Sequence, residues 1–266
     1  MKHTAGGSAR TSLATLLPAA LIVAVVGVDD QQLRELSAYG RPHEHLYDEH
    51  MGIEHNVFLI TRINPNSQTY APIGTCFALG GEFFATSFHV TGVDDKNLAI
   101  VLPDQAFMDY QRSLTNGPVR LSPMVLHEAD PVCDLVILRS PDINVSTTYV
   151  LAGSDDVKIG ETVCTFGYPH AGEGRAVLTL QAAMVGAKVA LHETLPDPRG
   201  LVVNLMARPG QSGAPILTAN QKQVVGVLAG SYARGGGGQI SLGGIDPASL
   251  HQTTHAVSAE YLREML

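Results

Sequence analysis

The sequence predicts an all-β fold, either a barrel or a sandwich. Short apolar runs recur from residue 56 onward, and turn residues separate them. The chain has 266 residues, of which 27 are glycine, and this composition suits many turns. Few segments have a helical pattern, which argues against the alternating strands and helices of a parallel sheet.

The apolar runs have the length and the β-branched or aromatic content of strands. Dipeptides such as Asn64-Pro65 and Gly80-Gly81 mark turns between them. The predicted strands are 57–61, 75–79, 83–87, 98–102, 135–138, 162–167, 175–180, 201–206, 215–218 and 224–228.

One late segment has a helical pattern. Ser258 can act as the N-cap of a helix over 258–266, and Leu262, Met265 and Leu266 then share an apolar face. The sequence therefore predicts a short C-terminal helix.

Charge and cysteine usage exclude several classes of partner. The net charge is −8, and no basic run suited to phosphate neutralisation is present, so nucleic acid is not an expected partner. Cys76, Cys133 and Cys164 have no metal-ligand spacing, and their odd number cannot form a complete set of disulfides. We expect three free, buried thiols, no metal and no cofactor.

The N-terminal 54 residues are predicted to be an extension. Residues 13–28 are uncharged and follow Lys2 and Arg10, as in a signal peptide or an anchor, the only membrane association we expect. Pro18 and the lack of a clear cleavage site leave open that 21–28 is a buried strand. The His-rich segment 41–50 is interpreted as a solvated connection. We favour export, to a periplasm or outside the cell, over a cytoplasmic location.

Ser212 is the candidate nucleophile. It lies between glycines in residues 208–217 (RPGQSGAPIL), a pattern that alone is more typical of a turn. A serine hydroxyl becomes a good nucleophile when a base takes its proton, a third group holds the base and N–H donors stabilise the oxyanion. His89 follows the predicted strand 83–87, and Asp134 precedes the strand 135–138. The three residues stand in the order His, Asp, Ser.

These segments resemble a known family. Residues 85–90 (ATSFHV), 134–138 (DLVIL) and 209–215 (PGQSGAP) are similar to the signature blocks of trypsin-like serine proteases, above all the bacterial HtrA-like group. The resemblance covers about residues 55–266. It implies a peptidase domain of two six-stranded antiparallel β-barrels, chymotrypsin-like, at about 55–145 and 146–266, with a short C-terminal helix. Only 54 residues (266 minus 212) follow the serine, so no PDZ domain is expected.

The resemblance also implies the catalytic roles. His89 is the general base, Asp134 orients it, and Ser212 attacks the carbonyl of a polypeptide substrate to form an acyl-enzyme. The N–H groups of Gly210 and Ser212 form the oxyanion hole. Asp130 is the rival acid, but Asp134 directly abuts the apolar strand as the family pattern requires.

A substrate pocket is also implied. Aligned from Ser212, its base is Met206 and its wall is formed by Ala229, Gly230 and Ser231, with no carboxylate. We expect an uncharged, aliphatic or small residue before the cleaved bond, because such a pocket cannot compensate a buried lysine or arginine.

Three positions depart from the family pattern. Phe88 replaces a small residue, and Ala214 replaces a glycine. Val90 stands where relatives have the disulfide partner of Cys76.

Two other functions remain as alternatives. A pseudoprotease on the same fold would bind peptides or partners without hydrolysis. An α/β-hydrolase esterase would need Asp and His after Ser212, as Asp246 and His251 are, but also alternating strands and helices.

Overall fold

The computed structural model describes residues 22–24, 52–103, 107–111, 119–190, 197–232 and 253–266. Three residues of the apolar N-terminal stretch form strand β1 (Ile22–Ala24), while the His-rich segment 41–50 lies outside the described residues. Within the described ranges, no helix has the length and hydropathy needed to cross a bilayer. The export of the protein stays a prediction.

The first sheet contains β1 and seven strands between residues 57 and 139. These are β2 (Val57–Asn64), β3 (Thr69–Gly80), β4 (Phe83–Ser87), β5 (Leu98–Leu102), β6 (Val119–Pro123), β7 (Val125–Asp130) and β8 (Leu135–Arg139). Their order is β1-β6-β5-β2-β3-β4-β8-β7. Only Met124 separates β6 from β7, so one bent stretch pairs with β5 through its first half and with β8 through its second. The sheet therefore curves round on itself.

The second sheet is a closed barrel. It contains β9 (Val150–Leu151), β10 (Thr162–Gly167), β11 (Thr179–Ala190), β12 (Arg199–Val203), β13 (Pro215–Thr218), β14 (Gln223–Tyr232) and β15 (Thr253–Ser258). The order is β13-β10-β11-β12-β15-β14-β9, and an additional pairing between β13 and β14 closes six of these strands. The two-residue β9 adds to β14 in parallel.

Apolar side chains pack on each of the two sheets and in the space between the sheets. One buried cluster belongs to the first sheet and includes Phe58 and Phe84. Another belongs to the second sheet and includes Ile216 and Leu228. A third cluster takes residues from both sheets, so the two units pack against each other through a common core. The predicted all-β, chymotrypsin-like fold is thus confirmed.

The second barrel differs from the prediction at its second strand. The run 175–180 predicts a strand, but β11 begins only at Thr179. The backbone N–H and C=O of Leu178 are both hydrogen-bonded to the side-chain amide of Gln111, at 2.8 and 2.9 Å. Leu178 therefore has no backbone group left for a strand ladder.

The C-terminal helix is shorter than predicted. A single helical turn, α1 (Phe88–Thr91), follows β4, and the C-terminal helix α2 comprises Tyr261–Met265. Ser258 is the last residue of β15 rather than a helix cap. The Ser258 hydroxyl instead accepts the Ser154 N–H at 2.8 Å. Leu262 is buried, but Leu266 is 56% exposed, so the predicted three-residue apolar face is wrong for Leu266.

Candidate active site

His89 lies directly after the end of a buried strand. β4 ends at Ser87, and the single helical turn α1 (Phe88–Thr91) follows it. The His89 side chain is 45% exposed, so its ring can meet a ligand from solvent. Phe88, the departure from the family pattern, packs against the core of the first sheet.

Strand pairing brings Asp134 to the same place. β4 pairs antiparallel with β8, and Ser87 opposite Leu135 is the last pair. Asp134 precedes Leu135 in the left-handed conformation, with φ of 54°. Its backbone C=O accepts the Phe88 N–H at 2.9 Å. The start of α1 is therefore fixed to the residue that precedes β8.

The Asp134 carboxylate binds His89 through both oxygens. Oδ1 accepts the His89 backbone N–H at 2.8 Å, and Oδ2 lies 2.8 Å from the ring Nδ1. An ionised carboxylate only accepts hydrogen bonds, so Nδ1 carries the proton in this pair. Nε2 of a neutral ring is then left with its lone pair, which is the form that a general base needs.

Asp130, the rival acid, has a different role. It ends β7, and its Oδ1 accepts the N–H groups of Val132 and Cys133 at 2.9 and 3.0 Å. These bonds shape the turn before Asp134. The structure brings Asp134, and not Asp130, to His89.

The loop that carries Ser212 packs on the strands that lead to His89. The Ser212 C=O accepts the Thr75 N–H of β3 at 2.9 Å. Gly213 has φ of 86°, and a Cβ there would lie 2.2 Å from both Thr75 O and Thr86 Oγ1. Glycine is therefore required by conformation and by space.

One backbone carbonyl links the serine loop to the histidine strand. The C=O of Leu228 accepts the Gly213 N–H at 2.8 Å and the Ser87 hydroxyl at 3.1 Å. Gly213 follows Ser212, and Ser87 precedes His89 by two residues. Among the described residues, no hydrogen bond joins the Ser212 hydroxyl to the His89 ring. This contact is often long before a substrate binds.

Gly210, an expected oxyanion donor, has a positive φ and lies close to Tyr168. Its φ is 95°, and a Cβ there would lie 2.4 Å from Tyr168 O. The C=O of Pro209 accepts the His170 N–H at 2.7 Å. No acceptor among the described residues binds the N–H of Gly210 or of Ser212. The oxyanion hole at these two groups stays a prediction.

Strand β15 contacts both parts of the expected substrate pocket, the segment around Met206 and the wall on β14. Met206 is 41% exposed, and its neighbours Leu205 and Ala207 are both hydrogen-bonded to the Thr254 hydroxyl, at 2.6 and 3.1 Å. On the next residue of β15, His255 lies opposite Gly230 of β14. The strand irregularity between Leu228 and Gly230 includes Ala229, and Ser231 continues β14 as a backbone position.

Polar residues that the sequence pattern did not indicate support these segments. Ser87 and Thr86 are buried, and each hydroxyl holds a backbone carbonyl near the serine loop. The available signal was a pair of hydroxyl side chains at the end of an apolar strand. His255 was also missed, and burial lowers its pKa. Its pairing with Gly230 crosses strands and leaves no local pattern.

The prediction for the cysteines is confirmed. Cys76, Cys133 and Cys164 are all free and buried. Burial raises the pKa of Cys164 to about 11 and, together with Asp130, that of Cys133 to about 12; the pKa of Cys76 rises further. These thiols are therefore protonated and poorly nucleophilic near neutral pH. No cluster of three or more metal-ligand side chains is found in the described part of the chain.

The two-sheet architecture is that of the chymotrypsin-like fold. Residues 74–227, more than half of the chain, match the family described as "Trypsin-like peptidase domain". The chain belongs to this family. A comparison with curated proteins gives no match.

Similar solved structures include proteases of the HtrA type. The protease domain of MamO from Magnetospirillum magneticum is 17% identical, with a TM-score of 0.55, over 80% of this chain and 97% of that one. An inactive serine-to-alanine mutant of Rv3671c from M. tuberculosis H37Rv is 17% identical, with a TM-score of 0.54, over 92% and 95%. The HtrA-type protease AlgW with a decapeptide is 16% identical, with a TM-score of 0.55, over 80% and 64%. These likenesses establish the common fold.

Proposed function

We propose that the protein is a serine endopeptidase that cleaves polypeptides through an acyl-enzyme intermediate. The observation that carries the proposal is the pair of hydrogen bonds that His89 donates to the Asp134 carboxylate, at 2.8 Å each. It fixes both the position of the imidazole and the tautomer that a general base requires. The family of the chain supports the same chemistry.

In this mechanism Ser212 is the nucleophile. Nε2 of His89 takes the proton of the Ser212 hydroxyl while Oγ forms a bond to the peptide carbonyl carbon. The imidazolium is stabilised by Asp134 and returns its proton to the departing amine, which leaves the acyl-enzyme. Water then attacks the ester with the same base, and Ser212 is regenerated.

The proposed oxyanion hole is formed by the N–H groups of Gly210 and Ser212. A negative oxygen develops only in the tetrahedral state, so donors directed at that oxygen lower the barrier more than they strengthen substrate binding. One such donor typically contributes about 3 kcal/mol to the barrier. Glycine at φ of 95° permits this backbone conformation.

The proposed substrate is a polypeptide with an uncharged residue before the cleaved bond. Met206 would lie at the base of the binding pocket, and Ala229, Gly230 and Ser231 would form its wall. None of these side chains can pair with a buried lysine or arginine. AlgW, a protein of the same fold, was solved with peptides bound.

A fluorophosphonate probe tests the proposal directly, because it labels only an activated serine. We expect the purified chain to be labelled at Ser212, and Ser212→Ala and His89→Ala to lose labelling and peptide hydrolysis while they remain folded. Ser67→Ala is the matched control, because Ser67 is an exposed serine in a turn. Its labelling should equal that of the wild type.

The opposite result has a clear meaning. A folded wild-type chain that no fluorophosphonate labels, even at high concentration, is not a serine hydrolase. It would then be the peptide-binding pseudoprotease, and its affinity for unlabelled peptides should be unchanged in Ser212→Ala.

A further inference from the structure

Thr75 links three segments of the candidate active site. It lies on β3 and is fully buried. Its N–H donates to Ser212 O at 2.9 Å, and its hydroxyl donates to Gly210 O at 2.7 Å. The same hydroxyl accepts the Tyr168 N–H at 3.2 Å. We infer that Thr75 is a positioning residue that orients the oxyanion-hole peptides, an inference that rests on the proposed function.

The geometry of the peptide group explains how a distant hydroxyl can aim an N–H. A peptide is planar and trans, so its C=O and N–H point in opposite directions. The N–H of Gly210 shares a peptide with Pro209 O, which is held by the His170 N–H at 2.7 Å. The next peptide begins at Gly210 O, which is held by Thr75. Both peptide planes at Gly210 are therefore anchored.

Gly210 needs this anchoring more than another residue would. Glycine has wide conformational freedom, so the peptides on either side of its Cα rotate easily unless other groups hold them. The site offers Gly210 O one donor among the described residues, the Thr75 hydroxyl. Loss of that donor leaves the peptide between Gly210 and Gln211 held only at its other end, where the Gln211 N–H donates to Arg208 O at 3.1 Å. The backbone of Gly210 is then held on its N-terminal side only, by the His170 N–H on Pro209 O, so the orientation of the oxyanion donors is less tightly restricted.

The hydrogen bonds of Thr75 also fix the orientation of its side chain. The hydroxyl donates one hydrogen bond and accepts another, and the Thr75 C=O accepts the Thr86 hydroxyl at 2.7 Å. Both the rotamer and the backbone of Thr75 are therefore fixed. A valine would keep the shape but would leave Gly210 O and the Tyr168 N–H without this partner.

The test is the steady-state hydrolysis of a peptide ester by Thr75→Val and Thr75→Ser. We expect Thr75→Val to lower kcat by on the order of 10- to 100-fold, somewhat less than the loss of a whole oxyanion donor. KM should stay within about twofold, since the oxyanion exists only in the transition state. Thr75→Ser keeps the hydroxyl and should restore most of kcat.

Thr61→Val is the matched control. Thr61 is an equally buried threonine of the first sheet, and its hydroxyl has no hydrogen-bond partner among the described residues. Its kcat should equal that of the wild type. If Thr75→Val does not fold, Thr75→Cys, whose thiol is a weak donor and acceptor, is measured instead and should give an intermediate kcat.

A second measurement separates this inference from the proposed function. The ¹⁵N–¹H signal of Gly210 should shift in Thr75→Val, return toward its position in Thr75→Ser and stay in place in Thr61→Val. A wild type without hydrolysis removes the proposed function, and the Gly210 signal then still decides whether Thr75 orients the peptide. A folded Thr75→Val with kcat within twofold of the wild type, or with an unshifted Gly210 signal, overturns the inference.

Discussion

The carboxylate of Asp134 is hydrogen-bonded to His89 at two atoms, the ring Nδ1 and the backbone N–H of the histidine, at 2.8 Å each. A single bond to the ring would fix its direction only, whereas the second bond also fixes the backbone from which the ring projects. Asp134 adopts the left-handed conformation, with φ of 54°, a region that Asp and Asn tolerate better than most residues. Asn at this position should therefore keep the fold and change the chemistry.

We predict that Asp134→Asn lowers kcat for peptide hydrolysis by on the order of 10⁴-fold at neutral pH. An asparagine amide can donate to Nδ1, which places the ring proton on Nε2 and removes the lone pair that the base needs. Asp130→Asn is the control, because Asp130 accepts the N–H groups of Val132 and Cys133 in the turn and does not contact His89 in the described structure. A larger loss of kcat in Asp130→Asn than in Asp134→Asn would reverse the assignment of the acid.

Gly210→Ala should reduce both activity and stability. The positive φ alone costs an alanine about 1–2 kcal/mol. The new Cβ would also lie 2.4 Å from Tyr168 O, so the loop must move, and we expect kcat to fall by about 10²-fold or more. Gly160→Ala has a similar φ, 84°, with no atom within 4 Å of its Cβ, and should lose stability without loss of kcat. Equal kcat in both variants would show that Gly210 has no role in catalysis.

Met206→Asp should change the preferred residue before the cleaved bond. If Met206 lies at the base of the pocket, a carboxylate there can pair with a lysine or arginine side chain, whose burial is otherwise unfavourable. We expect cleavage after arginine to rise relative to cleavage after leucine, measured as the ratio of kcat/KM values. Met184→Asp is the control, since Met184 is a similarly exposed methionine on β11. An unchanged ratio in Met206→Asp would place the pocket elsewhere.

The buried thiols should make the protein less stable at alkaline pH. The pKa of Cys133 rises from 9.0 to about 12, chiefly through desolvation, so the folded state keeps a proton that the unfolded state loses above pH 9. The free energy of unfolding should then fall as the pH rises from about 9 toward 12. Urea unfolding of wild type and Cys133→Ala at pH 8 and pH 10 measures this contribution, and the variant should lose less. An equal loss in both would contradict it.

Local patterns in the sequence predicted much of the fold. Apolar runs at 98–102, 162–167 and 215–218 coincide with β5, β10 and β13. β6 and β7 were missed because their buried and half-exposed residues do not form a continuous apolar run. The start of β11 was predicted too early, because the side chain of Gln111, distant in sequence, is hydrogen-bonded to the backbone of Leu178.

The sequence predicted the residues of the candidate site, and the structure brings two of them, His89 and Asp134, into contact. His89, Asp134 and Ser212 were predicted from their order and from the strands beside them, and the role of Ser212 stays a prediction. Thr75 was not, because its role depends on contacts with Tyr168 and Gly210 that cross from one sheet to the other. A threonine within an apolar strand gives no local sign of such contacts. Residues that position a site are harder to predict from sequence than the residues that react.

The pairing of β4 with β8 also has a consequence for folding kinetics. His89 and Asp134 are 45 residues apart, and they meet only when Ser87 pairs with Leu135 at the end of that ladder. Contacts of such sequence separation require the closure of a long loop, whereas the hairpin of β3 and β4 forms locally. The proposed base and its acid thus come together only when β8 joins β4. A nascent chain that has made only its early hairpins has not yet assembled the proposed site.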